Sequence, residues 1–236
     1  MNCRRPKFRL CLWGTLLLRC GLAIGAPGPS AAQATAIAPP DAALESLLRG
    51  VESKYNRLKT LRLHFQQVYK QDQQVLREEA GTLYLRKPGQ MRWEYENPEP
   101  KLFLTDGSRL TLYIPEENRM TETGVKSSGD LRSPLRFLLG GLQFRKEFQQ
   151  IARAPEVPPL QSGDIVIKAV PKQMKDRLEW VLLEVSPQYQ IRRMILNEGG
   201  GIQTEFRFEG EVSDLDLSPK LFHFQPPEGT EVIRQN

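Results

Sequence analysis

At 236 residues the chain suits a single domain with a continuous core, and its formal charge of +5 suggests a polyanionic partner only until the charge is located. Residues 1–34 hold Arg4, Arg5, Lys7, Arg9 and Arg19 and no acid, which leaves 28 basic and 28 acidic side chains in the remainder. A formally neutral body that also lacks any recognised nucleic-acid motif speaks against a nucleic-acid partner.

The N-terminal stretch accounts for its own charge. Its basic start precedes the apolar run Leu10–Leu18, and small residues follow to Ala32-Gln33-Ala34, an A-x-A cleavage site. The run is short against the roughly 20 residues needed to cross a bilayer. Residues 1–34 therefore read as a cleavable signal peptide, 35–40 as a flexible leader and 41–236 as the mature domain, with cleavage near Ala26 as an alternative. Leu17-Leu18-Arg19-Cys20 has an arginine where a lipoprotein cleavage box requires a small residue. Cys3, Cys11 and Cys20 all fall in the removed segment, so the secreted domain is expected to rely on its apolar core, without disulfides or thiolate sites.

Next in the chain, Asp41 is placed to cap a helix over 41–58. Leu44, Leu47, Leu48, Val51, Tyr55 and Leu58 form one apolar stripe, with Arg49, Glu52, Lys54 and Arg57 opposite. The period then falls to two. Leu61, Leu63 and Phe65 alternate with polar residues, as do Met91, Trp93 and Tyr95, and Leu83 and Leu85 flank Tyr84. Further strands are expected at 102–105, 109–114, 119–123, 164–170, 179–185, 191–196 and 202–209. Turn signals separate them at Lys87-Pro88-Gly89, Asn97 to Pro100, Asp106-Gly107, Pro115 to Asn118 and Asn197 to Gly201. Short connections make the sheet antiparallel, and about ten or eleven strands make it curl.

Ile202, Thr204, Phe206 and Phe208 face one way, against Gln203, Glu205, Arg207 and Glu209, so one face is expected to be wet and the other apolar. Only the 41–58 helix and a short piece at 134–139, stopped by Gly140-Gly141, are available to fill the concave side. An unfilled apolar hollow is the expectation, although large inward side chains could close it.

Catalytic chemistry is poorly represented. No nucleophile elbow, zinc-protease motif or phosphate loop occurs, and Gly199-Gly200-Gly201 reads as a turn. His64 and His223 stand apart, and Asp214 with Asp216 reads as a solvated turn pair. Carboxylates that meet only in space keep a secreted hydrolase open as an alternative.

The segment Gly81-Thr-Leu-Tyr-Leu-Arg-Lys-Pro-Gly-Gln-Met-Arg-Trp-Glu-Tyr95, then Leu104-Thr-Asp-Gly-Ser-Arg-Leu-Thr-Leu-Tyr113, resembles the outer-membrane lipoprotein carrier proteins, LolA-like. Ser133-Pro-Leu-Arg-Phe-Leu-Leu139 resembles that family's lid helix, and Phe222-His-Phe-Gln-Pro-Pro-Glu-Gly-Thr-Glu-Val232 its closing segment. The resemblance covers about residues 42–234 in order.

It implies a mainly β fold, an incomplete antiparallel barrel with an N-terminal helix and a short helical lid over an apolar cavity. It further implies a periplasmic carrier without catalysis or cofactor. Such a carrier takes acylated lipoproteins from an inner-membrane releasing transporter and hands them to an outer-membrane receptor. It is expected to act as a monomer. Met91 and Trp93, with Leu135, Phe137 and Leu138 of the lid, match ligand-lining positions; ordinary core packing is the other reading of Met91 and Trp93. Arg86 and Lys87 match the lid latch, with Lys87 standing where the family more often has arginine, which alone offers a planar multi-donor fork. An exposed turn charge is the alternative there. A lipoprotein-receptor-like or lipid-sensing periplasmic domain is the nearest rival function.

Overall fold

The computed structural model describes residues 41–125, 141–173 and 176–235. The expected signal peptide and leader, and the expected lid at 134–139 with Leu135, Phe137 and Leu138, lie outside these residues.

The chain begins with helix α1 (Ala42–Arg57), within a residue of the expected span. Asp41 Oδ1 accepts from the amides of Ala43 at 3.1 Å and Leu44 at 3.0 Å, satisfying two of the orphan donors of the first turn. Those contacts, led by the Leu44 amide and helped by Arg153, hold the Asp41 carboxyl below its ordinary value. The stripe Leu44, Leu47, Leu48, Val51 and Tyr55 is buried on one side. Each such side chain contributes about 1.5–3 kcal/mol by leaving water.

Twelve strands follow among the described residues: β1 (Thr60–Gln71), β2 (Gln74–Arg86), β3 (Gln90–Asn97), β4 (Lys101–Thr105), β5 (Arg109–Ile114), β6 (Arg119–Gly124), β7 (Phe148–Arg153), β8 (Ile165–Pro171), β9 (Trp180–Val185), β10 (Ile191–Gly199), β11 (Ile202–Ser213) and β12 (Glu231–Gln235). They form one sheet in the order β12-β6-β5-β4-β3-β2-β1-β11-β10-β9-β8-β7, whose two outer strands do not pair, so the barrel stays open. Two strands beyond those expected, β7 and β12, make up its edges. The antiparallel expectation holds for every ladder except one, because β12 runs parallel to β6 from Glu231↔Arg119 to Gln235↔Thr123. A chain returning from the far side of the sheet, rather than through a hairpin, is free to pair in either sense.

Register aligns the apolar rows. Leu63 lies opposite Leu83, Leu83 opposite Trp93, and Trp93 opposite Phe103. In the next row Gly81 stands between Phe65 and Tyr95, and its missing side chain lets those rings meet at 4.9 Å. A Cβ on Gly81 would lie 1.8 Å from the Glu94 carbonyl oxygen, which only glycine avoids. Helix α1 packs over this inner face in one core with Trp93, Phe103, Ile167, Leu183 and Met194.

The expectation of a wholly wet outer face is overturned. Leu102, Leu104 and Phe222 form a second buried cluster with Tyr84, Tyr113 and Phe224, where the C-terminal segment lies across the outside of the sheet. Ala154, Val166 and Leu182 form a third beneath the proline-rich loop after β7. Strands β4 and β9 are consequently buried on both faces. Ile202, expected on the apolar side, is 43 % exposed at the start of β11. Among the described residues no helix is long and apolar enough to cross a membrane.

Candidate functional site

The inner face carries a contiguous aromatic patch drawn from strands β1, β3 and β11. Phe65 meets Trp93 edge-on with ring centroids 4.6 Å apart, Trp93 lies 5.6 Å from Phe206, and Phe206 stacks on Phe208 at 6.1 Å. Tyr95 stacks beside Trp93 at 6.3 Å. Met91, two residues along β3 and so on the same face, continues the patch and is buried in the same cluster. A thioether beside aromatic rings adapts to irregular apolar shapes more readily than a branched side chain. Trp93 is fully buried, yet its indole Nε1 has no hydrogen-bond partner.

Polar groups bound the patch at both ends. Toward the β1–β2 turn, the Tyr95 hydroxyl donates to Gln67 Oε1 at 2.9 Å, and the Gln67 amide donates to the Tyr69 hydroxyl. Lys101 Nζ sits 4.1 Å from the Tyr95 ring centroid and the Arg77 guanidinium 4.4 Å from that of Tyr69, within cation–π range. Lys101 also pairs with Glu79.

At the opposite end, the β2–β3 turn reaches α1. Lys87 Nζ donates to the Tyr55 carbonyl, and the Lys87 amide donates to the Lys59 carbonyl at 2.9 Å. The Tyr55 carbonyl belongs to the last helical turn, where acceptors lack intrahelical donors and the helix dipole favours a cation. Burial lowers the pKa of the Lys87 ammonium below its ordinary value. Arg86 takes a separate course, donating to Gln90 Oε1 at 3.2 Å inside its own turn. Of the two expected latch residues, Lys87 reaches α1 among the described residues.

Helix α1 is itself fastened to its other neighbours. The Tyr55 hydroxyl donates to Glu211 at 2.7 Å and accepts from the Ile191 amide at 3.0 Å, while Lys54 pairs with Glu211 at 2.8 Å. Burial first, and the Glu211 charge second, push the Tyr55 hydroxyl well above its ordinary pKa, so it stays a donor. Asn56 exchanges two hydrogen bonds with the Leu142 backbone at 2.9 and 2.7 Å, and Glu52 accepts from the Phe144 amide at 2.7 Å. Residues 142–144 are thus tied to α1.

Met91 and Trp93 are brought together with Phe65, Tyr95, Phe206 and Phe208, none of which was singled out for the site beforehand. Gly81 was the available signal, since a strand glycine marks a place where neighbours approach closely. Asp214 serves the fold, accepting from the Lys59 amide at 3.0 Å. Among the described residues no three His, Cys, Asp or Glu side chains gather as metal ligands would.

A family model for outer membrane lipoprotein carrier protein LolA matches residues 56–225. The outer-membrane lipoprotein carrier protein of Hahella chejuensis is 30 % identical over 194 residues, covering 82 % of this chain and 87 % of its own. That of Nitrosospira multiformis is 28 % identical over 186 residues, covering 78 % and 87 %. Among solved structures, an uncharacterized conserved protein from Thermus thermophilus shares the fold, with a TM-score of 0.50 at 13 % identity over 82 % of this chain and 99 % of that one.

Proposed function

The chain belongs to the outer membrane lipoprotein carrier protein family, and from that premise we propose that it shelters lipoprotein acyl chains on the inner face of its open sheet as they cross the periplasm. Loading by an inner-membrane transporter and unloading to an outer-membrane receptor complete the proposal, and no catalytic step is assigned. Residues 1–34 serve as the export signal and 41–236 as the carrier domain. The observation that carries this reading is the aromatic patch of Phe65, Trp93, Tyr95, Phe206 and Phe208 inside a sheet whose edges do not meet.

Burying an acyl chain contributes about 0.8 kcal/mol per methylene, or about 10 kcal/mol for one long chain, so such a cargo does not cross water unaided. A site that closes over its cargo also has to reopen, and the ligand favours the open state by its differential affinity for it. Met91 and Trp93 line the binding face in this proposal. Helix α1 covers that face, and Lys87 is the tie between α1 and the β2–β3 turn across which opening takes place.

Native mass spectrometry of the protein recovered from a periplasm containing lipoproteins tests the reading. An acylated polypeptide bound one to one is the expected result. Recovery of the bare chain, together with failure to bind a fluorescent fatty-acyl probe, would overturn it.

Lys87→Met removes the tie while keeping an apolar stem. The lost hydrogen bond is partly screened by solvent, so the expected effect on opening is about 1 kcal/mol. That raises the open population about five-fold, and stopped-flow uptake of the fatty-acyl probe should quicken by a similar factor. Lys87→Arg, which keeps a cation at the helix end, should stay near the parent rate.

A further inference from the structure

We propose that the indole N–H of Trp93 is the hydrogen-bond donor that receives the acyl carbonyl of a bound lipid, an inference that rests on the carrier reading above. Trp93 is 0 % exposed and its Nε1 has no partner. Buried donors are nearly always satisfied, so an orphan at the centre of an apolar cluster calls for a physical account. Of the buried side-chain polar atoms without a hydrogen bond among the described residues, this is the only one belonging to the inner apolar cluster. The side chains that flank it carry no acceptor. Leu83 and Phe103 flank it in register, and Phe65 and Phe206 lie against the ring. The Tyr95 hydroxyl, in the same cluster, donates to Gln67, and the Trp93 N–H makes no hydrogen bond to it.

Cargo made of hydrocarbon alone would be held as well by phenylalanine, which desolvates no N–H. An acyl group differs from plain hydrocarbon at one place: its ester or amide carbonyl, an acceptor with no donor of its own. Tryptophan is the aromatic residue whose only polar atom is a donor. One donor meets one acyl carbonyl, and the contact would fix where along the inner face that chain starts. It would also give a carrier lined by rings a means of telling acyl lipids from other apolar molecules.

The test uses the full protein labelled with nitrogen-15, with the Trp93 indole resonance identified by its absence in Trp93→Phe. Three ligands are compared: a peptide with an S-diacylglyceryl cysteine, the same peptide with ether-linked alkyl chains, and a diacyl glycerophospholipid. The diacyl peptide should move the indole proton downfield and the ether peptide should not. Trp93→Phe should weaken the diacyl peptide about five-fold and leave the ether peptide within about two-fold. Equal indole shifts from the two peptides, or an equal loss of affinity for both, would overturn the contact while leaving the carrier reading intact. A parent protein that binds neither peptide would overturn both. If Trp93→Phe does not fold, the resonance is identified by elimination with Trp13→Phe and Trp180→Phe, and the shift comparison in the parent protein decides alone. A downfield shift with the phospholipid as well upholds the contact as one to any acylglycerol, and a shift with the diacyl peptide alone upholds it as one to acylated protein.

Discussion

Trp93→Ala is expected to lower folding stability by about 3–5 kcal/mol, the range for emptying a fully buried aromatic site. The ring touches Phe65 on β1 and Phe206 on β11 as well as its own strand, so its loss opens a void where three strands meet. Aromatic contacts add about 0.5–1.5 kcal/mol each beyond buried area. Removing the unpaired indole N–H works the other way, since an unsatisfied buried donor costs about 1–3 kcal/mol. The net therefore belongs toward the lower end of the range. Urea unfolding measures it, with the midpoint falling by roughly 1–3 M at an unchanged slope. A change under 1 kcal/mol would mean that this face is not packed around Trp93.

Glu184→Ala should cost a similar amount on the opposite face, for an electrostatic reason. Glu184 and Arg193 are directly opposed on β9 and β10, and their side chains pair at 2.7 Å with Glu184 fully buried. The other Glu184 oxygen accepts from the amides of Leu160 at 2.7 Å and Gln161 at 3.3 Å, while Arg193 donates to the Pro158 carbonyl at 3.0 Å. The pair clamps the proline-rich loop onto the sheet. Alanine strands a largely buried guanidinium and releases two amides, and breaking one side of a buried pair costs about 3–5 kcal/mol. Hydrogen exchange discriminates this from general weakening: the Leu160 and Gln161 amides should lose protection before the amides of β9 do. Glu184→Gln, which keeps an acceptor for those amides, should fall between the parent and alanine.

Helix α1 was legible in the sequence because its stripe and its capping aspartate are local signals, and most strands were legible because alternation is local too. The missed strands had no such signal. Phe148–Arg153 is half polar and mostly exposed, and Glu231–Gln235 is an exposed edge; β8 and β6 respectively hold them in the sheet. The long polar extension of β1 and β2 was hidden for a related reason, since the turn between them is made by Asp72 and Gln73 in positive φ rather than by a glycine pair. The covered outer face did leave a trace. Leu102-Phe103-Leu104 and Val181-Leu182-Leu183 are unbroken apolar runs, the mark of strands buried on both sides. At the candidate site, alternation on β3 put Met91, Trp93 and Tyr95 on one face, and the family resemblance singled out Met91 and Trp93. Their aromatic neighbours on β1 and β11, and the Tyr55 carbonyl that meets Lys87, depend on distant pairing that no local pattern encodes.

The ladder joining β1 to β11 has a kinetic consequence. On one side of it, β2 to β6 pair with their chain neighbours, and on the other β7 to β10 do the same. The seam between these half-sheets aligns Gln71 with Ile202 and Leu61 with Ser213, partners more than a hundred residues apart in the chain. Local hairpins close early, whereas so remote a pairing carries the entropy of a long loop and raises the contact order. The seam, like the β6–β12 ladder, is therefore expected to close late. A polypeptide halted before β11 would hold two partial sheets with their oily sides uncovered, the kind of intermediate that aggregates.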